Sequence, residues 1–301
     1  MTGGKVWARV VAVLAMCGAG DAFAAPCEPL RAPLIFCSDF ESGVLGENGQ
    51  VWNVSGNSPT VSTDVARSGR YSMKTVLNRA TSKDWFRTEV SSGTGRVNIV
   101  PNGEYWYGFS IYLPASYVKD NLWEFVAQWH NIPDKNKGEA TDLNPPLSLG
   151  TQNGVWSINT IWDSRVLTEK KTYEGKKMYQ LGAYNTGKWT DFVFHVRWSP
   201  NSNGFLQVWK DGVKVIDASG GIAFNDAVGP YLKMGIYKGW TTRTTPAGNV
   251  SVRTLYHDEV RIADSGGSYA AVSPGGAPSS APAPDQKKPN PPGGVSIDPS
   301  H

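Results

Sequence analysis

The apolar residues of this chain occur in short runs separated by turn residues, and this pattern constrains the fold more than any other feature. The runs are rich in Val, Ile, Tyr, Phe and Trp, as in KTVLN, WYGFSIYLP, FVAQWH, VWSINTIW and WTDFVFHVRW, which is typical of β-strands. In FLQVWKDGVKVID, Asp211 and Gly212 mark a hairpin turn. No segment sustains an apolar period of 3.6 residues. The sequence therefore predicts an all-β fold, a jelly-roll β-sandwich of two antiparallel sheets.

The first 25 residues have the composition of a secretory signal peptide. Lys5 and Arg9 provide the positive start, VVAVLAM the apolar segment and AFAA the small residues before cleavage. The apolar segment is too short to cross a bilayer. We therefore expect residues 1–25 to be removed and the protein to be secreted or periplasmic, with no membrane as a partner.

The C-terminal segment, residues 266–301, differs in composition from the rest. It consists mainly of Ser, Gly, Pro and Ala, as in PGGAPSSAPAPDQKKPNPPGG, and has too few apolar residues to form a core. It is predicted to be a disordered tail. Residues 26–265 remain, a length that an all-β sandwich fills as a single domain.

Two cysteines, Cys27 and Cys37, follow the predicted signal peptide. In an oxidising compartment they are expected to form one disulfide that closes a short N-terminal loop. The alternative, two free thiols, is less typical of an exported protein.

Several familiar catalytic motifs are missing from the sequence. There is no Gly-rich phosphate loop before a helix, no GxSxG elbow and no HExxH zinc motif, so no nucleotide or nucleic-acid partner is expected. A glycoside hydrolase needs two carboxylates that face each other across the bond, and no strand carries acids at alternate positions to supply them. The acid of RTE, Glu89, is interpreted as the charge partner of Arg87. The net charge of +3 is too small to identify an acidic partner.

The segment EFVAQWH places an amide and an imidazole on one side of a predicted strand. With a period of two, one face carries Glu124, Val126, Gln128 and His130, and the other carries Phe125, Ala127 and Trp129. The remaining histidines have simpler interpretations: His195 lies on a solvated outer face, His257 is structural, and His301 is in the tail. Gln128 and His130 are therefore candidates for a ligand site.

A second segment, YLKMGIYKG, alternates in the same way. Lys233, Gly235 and Tyr237 share one face, opposite an apolar face of Leu232, Met234 and Ile236. The glycine between the lysine and the phenol leaves room for a ligand to approach the backbone. An ordinary solvated face would explain either segment alone, but the two together favour a site.

Motifs spread over about residues 36–264 follow the order of a known family. They are FCSDFESG, DVARSGRYSMK, WFRTEV, EYWYGFSIYLP, FVAQWH, NPPLSL, GKWTDFVFHVRWSPNSNGFLQVWKDG, GPYLKMGIYKG and YHDEVRIAD. In this order they resemble the heparin lyase I–like and glucuronan lyase group of polysaccharide lyases. The resemblance implies a concanavalin-like β-jelly roll, β-elimination as the reaction, and an anionic uronate polysaccharide as the partner.

The resemblance also implies roles for individual residues. β-Elimination removes the C5 proton of a uronate, expels the C4 oxygen, and needs the neighbouring carboxylate to be neutralised. By their match to QWH and KxGxY, His130 and Tyr237 would be the base and the acid, in either assignment. The residues expected to bind substrate are Gln128, Arg87, Lys233 and Asn144. For Asn144 the alternative is a turn residue before Pro145.

Acidic residues near the two ends of the domain are candidates for a structural calcium site. Asp39 and Glu41 lie near the predicted N-terminal strand and Asp258 lies near the C-terminal one, and these ends commonly pair in jelly rolls. A calcium ion bound by their oxygens would join them. The alternative is that these acids cap turns. No cofactor is expected for the chemistry itself.

Two classes of function fit a sandwich of this kind. A lyase needs His130 and Tyr237 on one face, whereas a non-catalytic carbohydrate-binding module does not. We predict a monomeric polysaccharide lyase, with the binding module as the alternative. Glucuronan, alginate and heparin-like chains all remain open as substrates, although the few basic residues beside the motifs favour a plain polyuronate over a highly sulfated one.

Overall fold

A computed structural model describes residues 27, 29–47, 50–92, 97, 99–243 and 248–275 of the chain. The predicted signal peptide lies outside the described residues, as does the predicted tail beyond Gly275. All statements about structure below refer to the described residues.

In the described residues, the regular secondary structure consists almost entirely of short strands, as their β-branched and aromatic composition predicts. In chain order the strands are β1 (Leu34–Ser38), β2 (Gly46–Glu47), β3 (Gln50–Val51), β4 (Asn53–Gly56), β5 (Thr60–Ser62), β6 (Ser72–Asn78), β7 (Arg87–Ser91), β8 (Glu104–Leu113), β9 (Glu124–His130), β10 (Leu147–Gln152), β11 (Val155–Trp162), β12 (Gly175–Ala183), β13 (Lys188–Arg197), β14 (Phe205–Lys210), β15 (Val213–Ser219), β16 (Tyr231–Lys238) and β17 (Val252–Ala263). Helical structure among the residues that the structure describes is limited to a 3₁₀ turn at Lys135–Lys137 and a short helix α1 at Tyr269–Val272. In the part of the chain that the structure describes, no helix has the length and apolar character needed to cross a membrane.

The strands form two large antiparallel sheets. The eight-stranded sheet has the order β15-β14-β13-β8-β17-β6-β5, with β1 paired to β17, and the seven-stranded sheet has the order β12-β11-β10-β9-β16-β7-β4. The short strands β2 and β3 form a separate ribbon. The predicted jelly-roll-like sandwich of two antiparallel sheets is therefore confirmed.

Alternation along the central strands builds the core between the sheets. In β8 every second residue is buried in the core; these residues are Tyr105, Tyr107, Phe109, Ile111 and Leu113. In the seven-stranded sheet, Leu232, Met234 and Ile236 of β16 are buried in the same core, as the sequence predicts. Because apolar burial is the main favourable term in folding, these residues fix which face of each strand turns outward.

The alternation predicted for β9 is wrong at its N-terminal end because the strand contains a β-bulge. Against β10, Leu149 pairs with Ala127 and Gly150 pairs with Phe125, so Val126 is an extra residue. An extra residue reverses the side-chain direction on one side of the bulge. Gln128 and His130 keep the predicted outer face. Val126 is instead part of the core, and Phe125 replaces Glu124 on the outer face.

The carbonyl of Val126 at this bulge is bound by a histidine of the other sheet. His257 on β17 is fully buried, and its Nε2 lies 3.0 Å from the Val126 oxygen. Because a carbonyl only accepts hydrogen bonds, Nε2 carries the proton. Burial lowers the pKa of His257 to about 3, so the imidazole is neutral at ordinary pH and acts as a structural donor between the sheets.

Glu124, turned inward by the bulge, belongs to a buried ionic network. Arg253 of β17 donates to both of its carboxylate oxygens at 2.9 and 2.8 Å. Tyr117 and Thr151 donate to one of these oxygens, and the Lys238 ammonium lies 3.4 Å from the other. The network joins β9 of one sheet to β17 of the other, and its bidentate geometry fixes how the two sheets align.

The disulfide predicted at the N-terminus is present. Cys27 and Cys37 are bonded, with their Cα atoms 5.3 Å apart. Cys37 lies in β1, so the bond attaches the start of the described chain to the eight-stranded sheet.

The compact domain extends beyond residue 265, where we predicted the tail to begin. Val272 of α1 is fully buried, and it packs with Val193 and Ala263 on the outer face of the eight-stranded sheet. A Cβ at Gly108 would lie 1.8 Å from the Val272 carbonyl oxygen, so only glycine permits this contact. Gly275 then packs against the Arg67 guanidinium. The Ser, Gly, Pro and Ala composition of this segment gave no signal for the short helix α1, whose residue Val272 packs on the sheet surface.

We expect His257→Leu to lower the free energy of unfolding by about 1–3 kcal/mol, because the Val126 carbonyl would be buried without a donor. Chemical denaturation at pH 7 measures this loss.

The pH dependence of the same variant provides a second check. In the unfolded chain a histidine gains a proton near pH 6.5, but folded His257 does so only near pH 3. Acidification from about pH 6.5 towards 3 therefore favours the unfolded state of the wild type but not that of His257→Leu. The stability advantage of the wild type should shrink over this range; a constant advantage would contradict the assigned protonation state.

Candidate active site

The outer face of the seven-stranded sheet carries a row of mainly polar residues that runs across all its strands and ends at Met178. Strand register aligns Asn53, Ser91, Lys233, Gln128, Ser148, Asn159 and Met178 in this order. Trp129, next to Gln128 in the chain, and Leu232, next to Lys233, are buried in the core. The polar faces of β9 and β16 are therefore adjacent at the centre of the sheet.

A second row on the same face contains Tyr237. It consists of Arg87, Tyr237, Phe125, Gly150, Ser157 and Gln180. His130 lies on the other side of the first row and pairs in register with Tyr231. Along β9, His130 and Phe125 are five positions apart, which is at most roughly 16 Å at about 3.3 Å per residue. His130 and Tyr237 thus share one face but stand on opposite sides of the central row.

A buried carboxylate fixes the centre of this face. Glu89 on β7 accepts a hydrogen bond from Gln128 Nε2 at 2.5 Å and binds the Lys233 ammonium at 2.6 Å. All three residues are at most 5 % exposed. The predicted ion pair of Arg87 and Glu89 is therefore wrong. Glu89 binds Gln128 and Lys233 of the other strands, and Arg87 pairs with Asp84 at 3.2 Å.

This arrangement changes what Gln128 and Lys233 are able to do. The charge of Lys233 is already balanced by Glu89. Gln128 Oε1 is buried and has no hydrogen-bond partner among the residues that the structure describes. Such an acceptor needs a donor from water or from a ligand hydroxyl. Both side chains are buried at the centre of the face.

The imidazole of His130 is held in one tautomer. Its Nδ1 lies 3.0 Å from the carbonyl oxygen of Asn131, so Nδ1 carries the proton and Nε2 has the free lone pair. Asn131 is itself buried and donates from Nδ2 to Asp226 at 3.3 Å. Burial lowers the pKa of His130, and the charge of Lys233 acts in the same direction. His130 is therefore neutral at neutral pH and is suited to accept a proton at Nε2.

Two phenols, not one, stand on this face. Burial raises the pKa of both Tyr237 and Tyr231 above the usual value for a phenol, although Arg87 opposes this in each case. Both hydroxyls are therefore protonated at neutral pH and suited to donate a proton. The ring of Tyr231 lies 5.9 Å from that of His130. We did not predict Tyr231, although it shares the alternation of Lys233 and Tyr237 and could have been found by it.

Arg87 is a partly exposed cation beside these groups. Its side chain is 34 % exposed, in contrast to buried Lys233. Its charge acts on the pKa of His130, Tyr231 and Tyr237, so it lies within electrostatic range of all three. It is the described cation best placed to meet a carboxylate that binds between them.

Asn144 is exposed and is not in hydrogen-bond contact with these groups. Its Oδ1 accepts a hydrogen bond from the Tyr173 hydroxyl at 3.0 Å, and its backbone amide donates to the same hydroxyl at 3.0 Å. The structure therefore places Asn144 in a contact with Tyr173 of another loop, and its role in substrate binding stays a prediction.

The three acids considered for calcium accept hydrogen bonds from backbone amides. Asp39 accepts from Cys27 and Glu41, the Glu41 carboxylate accepts from residues 70 and 71, and Asp258 accepts from residues 67 and 259. Among the described residues, no three His, Cys, Asp or Glu side chains are grouped so that they could hold a metal ion. These backbone contacts are those of the turn-capping alternative, and the calcium site stays a prediction.

Comparison with known proteins identifies the family of this chain. The profile of the family described as Polysaccharide lyase matches residues 40–261. Among solved structures, an endo-β-1,4-glucuronan lyase from the fungus Trichoderma reesei is similar at 21% identity and a TM-score of 0.65, over 81% of this chain and 100% of that chain. An alginate lyase of polysaccharide lyase family 7 is similar at 15% identity and a TM-score of 0.46, over 70% of this chain and 84% of that chain. No curated protein matches. The chain belongs to the polysaccharide lyase family and is a lyase enzyme.

Proposed function

We propose that this protein is a secreted lyase that cleaves a uronic-acid polysaccharide by β-elimination. The observation that carries the proposal is the neutral imidazole of His130, fixed with Nε2 free, on the same face as Arg87 and two protonated phenols. The family assignment and the fold shared with a glucuronan lyase support it. Export is supported by the signal-like composition of residues 1–25 and by the disulfide.

Each step of an elimination has a suitable group on this face. Arg87 binds the uronate carboxylate, which lowers the cost of removing the neighbouring C5 proton. His130 Nε2 takes that proton as the C4–C5 double bond forms. Tyr237 gives its hydroxyl proton to the C4 oxygen as the C4–O bond breaks. The buried trio of Glu89, Gln128 and Lys233 holds β7, β9 and β16 in register below the substrate.

Tyr231 is a second candidate for the acid. It is directly across from His130 in register, whereas Tyr237 is on the far side of the central row. Both phenols are protonated and lie near Arg87. The resemblance to the family favours Tyr237, and register favours Tyr231, so the two are compared directly in the experiment below.

The test is a panel of glucuronan, alginate and heparin-like polymers, followed by the ultraviolet absorbance of the unsaturated product. We expect the wild type to produce unsaturated ends, and His130→Ala and Tyr237→Phe to lower kcat by roughly two to four orders of magnitude while remaining folded. Tyr231→Phe is the matched control, because it removes the same hydroxyl from the same strand.

The outcomes of this panel separate the alternatives. If Tyr231→Phe is the slower of the two phenylalanine variants, Tyr231 is the acid. If the wild type binds a polymer but never forms an unsaturated end, the protein is a carbohydrate-binding module. If both His130→Ala and Tyr237→Phe keep full activity, the site lies elsewhere.

Arg87 and Lys233 should respond differently to removal of their charge. Arg87→Ala should raise KM and lower kcat with little change in stability, because Arg87 is partly exposed and meets the substrate carboxylate. Lys233→Ala should lower the free energy of unfolding by about 3–5 kcal/mol, because it leaves Glu89 charged and buried. Chemical denaturation and steady-state kinetics measure the two effects. The double variant Glu89→Gln with Lys233→Met should regain stability; if it does not, the ion pair is not the cause.

The pH profile of kcat/KM should be a broad bell. Activity needs His130 unprotonated, and its pKa is lowered below the usual 6.5, so the rate should reach its plateau below pH 6.5. Activity also needs the phenol protonated, and the pKa of Tyr237 is raised above 10, so the rate should not fall until above about pH 10. A profile that rises only above pH 7 would contradict the role of His130.

A further inference from the structure

Five aromatic residues cluster at the Tyr237 end of the polar face. The rings of Trp123 and Phe125 are 4.7 Å apart, and those of Trp123 and Tyr237 are 5.5 Å apart in an edge-on arrangement. Phe86 packs 5.6 Å from Tyr237, and Trp85 packs 5.1 Å from Phe86. We call these residues the aromatic cluster. It forms a continuous apolar surface beside the proposed reaction centre.

Trp123 is the part of this cluster that solvent reaches most. It is 38 % exposed, although an indole is among the most costly side chains to leave in water. Its backbone oxygen accepts a hydrogen bond from the Gly239 amide at 3.0 Å. A Cβ at Gly239 would lie 2.7 Å from the indole ring, so the ring rests directly on the glycine backbone. Trp123 is thus held in place before any ligand arrives, which lowers the entropic cost of binding.

The other members of the cluster limit how the indole is able to move. Phe125 is on the outer face only because of the bulge at Val126, and it is paired in register with Gly150. A Cβ at Gly150 would lie 3.2 Å from the Phe125 ring. The missing side chain at position 150 leaves room for the Phe125 ring, which packs beside Trp123.

A cation adjoins the aromatic cluster. The Arg87 guanidinium lies 5.5 Å from the centroid of the Phe86 ring, and Arg87 pairs in register with Tyr237. A uronate has an apolar face of C–H groups and a carboxylate on its ring edge. An aromatic surface beside a guanidinium matches both features of such a sugar.

We propose that Trp123 and Phe125 form a subsite in which a pyranose ring of the polysaccharide stacks, next to the sugar that is cleaved at Tyr237. The inference rests on the proposed function for the identity of the polymer, a polyuronate. Because the subsite lies on the Tyr237 side of the central row, only oligomers long enough to extend past the cleavage point reach it. The subsite therefore makes affinity depend on chain length.

The experiment measures binding of purified uronate oligomers of increasing length to the full chain carrying His130→Ala, which slows turnover. Binding is followed by calorimetry, with and without Trp123→Ala. We expect Trp123→Ala to weaken the binding of long oligomers by roughly 3- to 10-fold, the contribution of one aromatic contact. The shortest oligomers should bind equally well with and without Trp123→Ala. Trp123→Phe, which keeps an aromatic ring, should retain part of the affinity for long oligomers.

Trp189→Ala is the matched control, because Trp189 is a half-buried tryptophan on the eight-stranded sheet, packed against Tyr112 at 5.4 Å. It should leave binding unchanged at every length. Equal weakening of short and long oligomers by Trp123→Ala, or equal effects of Trp123→Ala and Trp189→Ala, would overturn the subsite.

The result also separates this inference from the proposed function. If the wild type cleaves a uronate polymer but Trp123→Ala and Trp123→Phe bind all lengths like the parent, the subsite alone is wrong. If no polymer is cleaved, but a polysaccharide binds in a length-dependent way that Trp123→Ala abolishes, the subsite stands and the lyase proposal is wrong.

Discussion

The contact between His257 and the Val126 carbonyl is the constraint on which the polar face depends. A β-bulge leaves a backbone group without its normal partner in the ladder, and such a group is costly inside a sandwich. His257 removes that cost from the opposite sheet. The bulge is therefore stable, and it turns Phe125 outward and Glu124 inward. This neutral imidazole thus stabilises the bulge that places Phe125 beside Tyr237.

Buried charge has two separate uses in this protein. Between the sheets, Glu124 and Arg253 form a bidentate pair that a shifted alignment would break. Below the polar face, Glu89 joins Gln128 to Lys233 across three strands. A buried ion pair adds little net stability compared with apolar packing, but a mispaired one is strongly unfavourable. We infer that both groups act mainly against incorrect strand register.

The sequence predicted the parts of the fold that depend on local alternation. In β16 the residues Lys233, Gly235 and Tyr237 keep one outer face, as their alternation predicts, although the pairing with β9 shifts between Met234 and Tyr237. In β9 the predicted alternation is wrong on the N-terminal side of Val126, where the strand has a bulge. Such a bulge depends on the partner strand and on a histidine about 130 positions away in the chain. The predicted ion pair of Arg87 with Glu89 was wrong for a similar reason. Arg87 and Glu89 are two residues apart on one face, but Asp84 and Lys233 lie closer in space.

The position of α1 and Gly275 on the eight-stranded sheet has a practical consequence for handling the protein. Val272 fits over Gly108, and Gly275 reaches Arg67, which is paired with Asp191 on the outer face of the eight-stranded sheet. The described chain thus ends on the side of the sandwich opposite the polar face. A tether, resin or fusion partner attached beyond this point starts on the back of the molecule. A tether that joins the chain directly after Gly275 would therefore leave the polar face free.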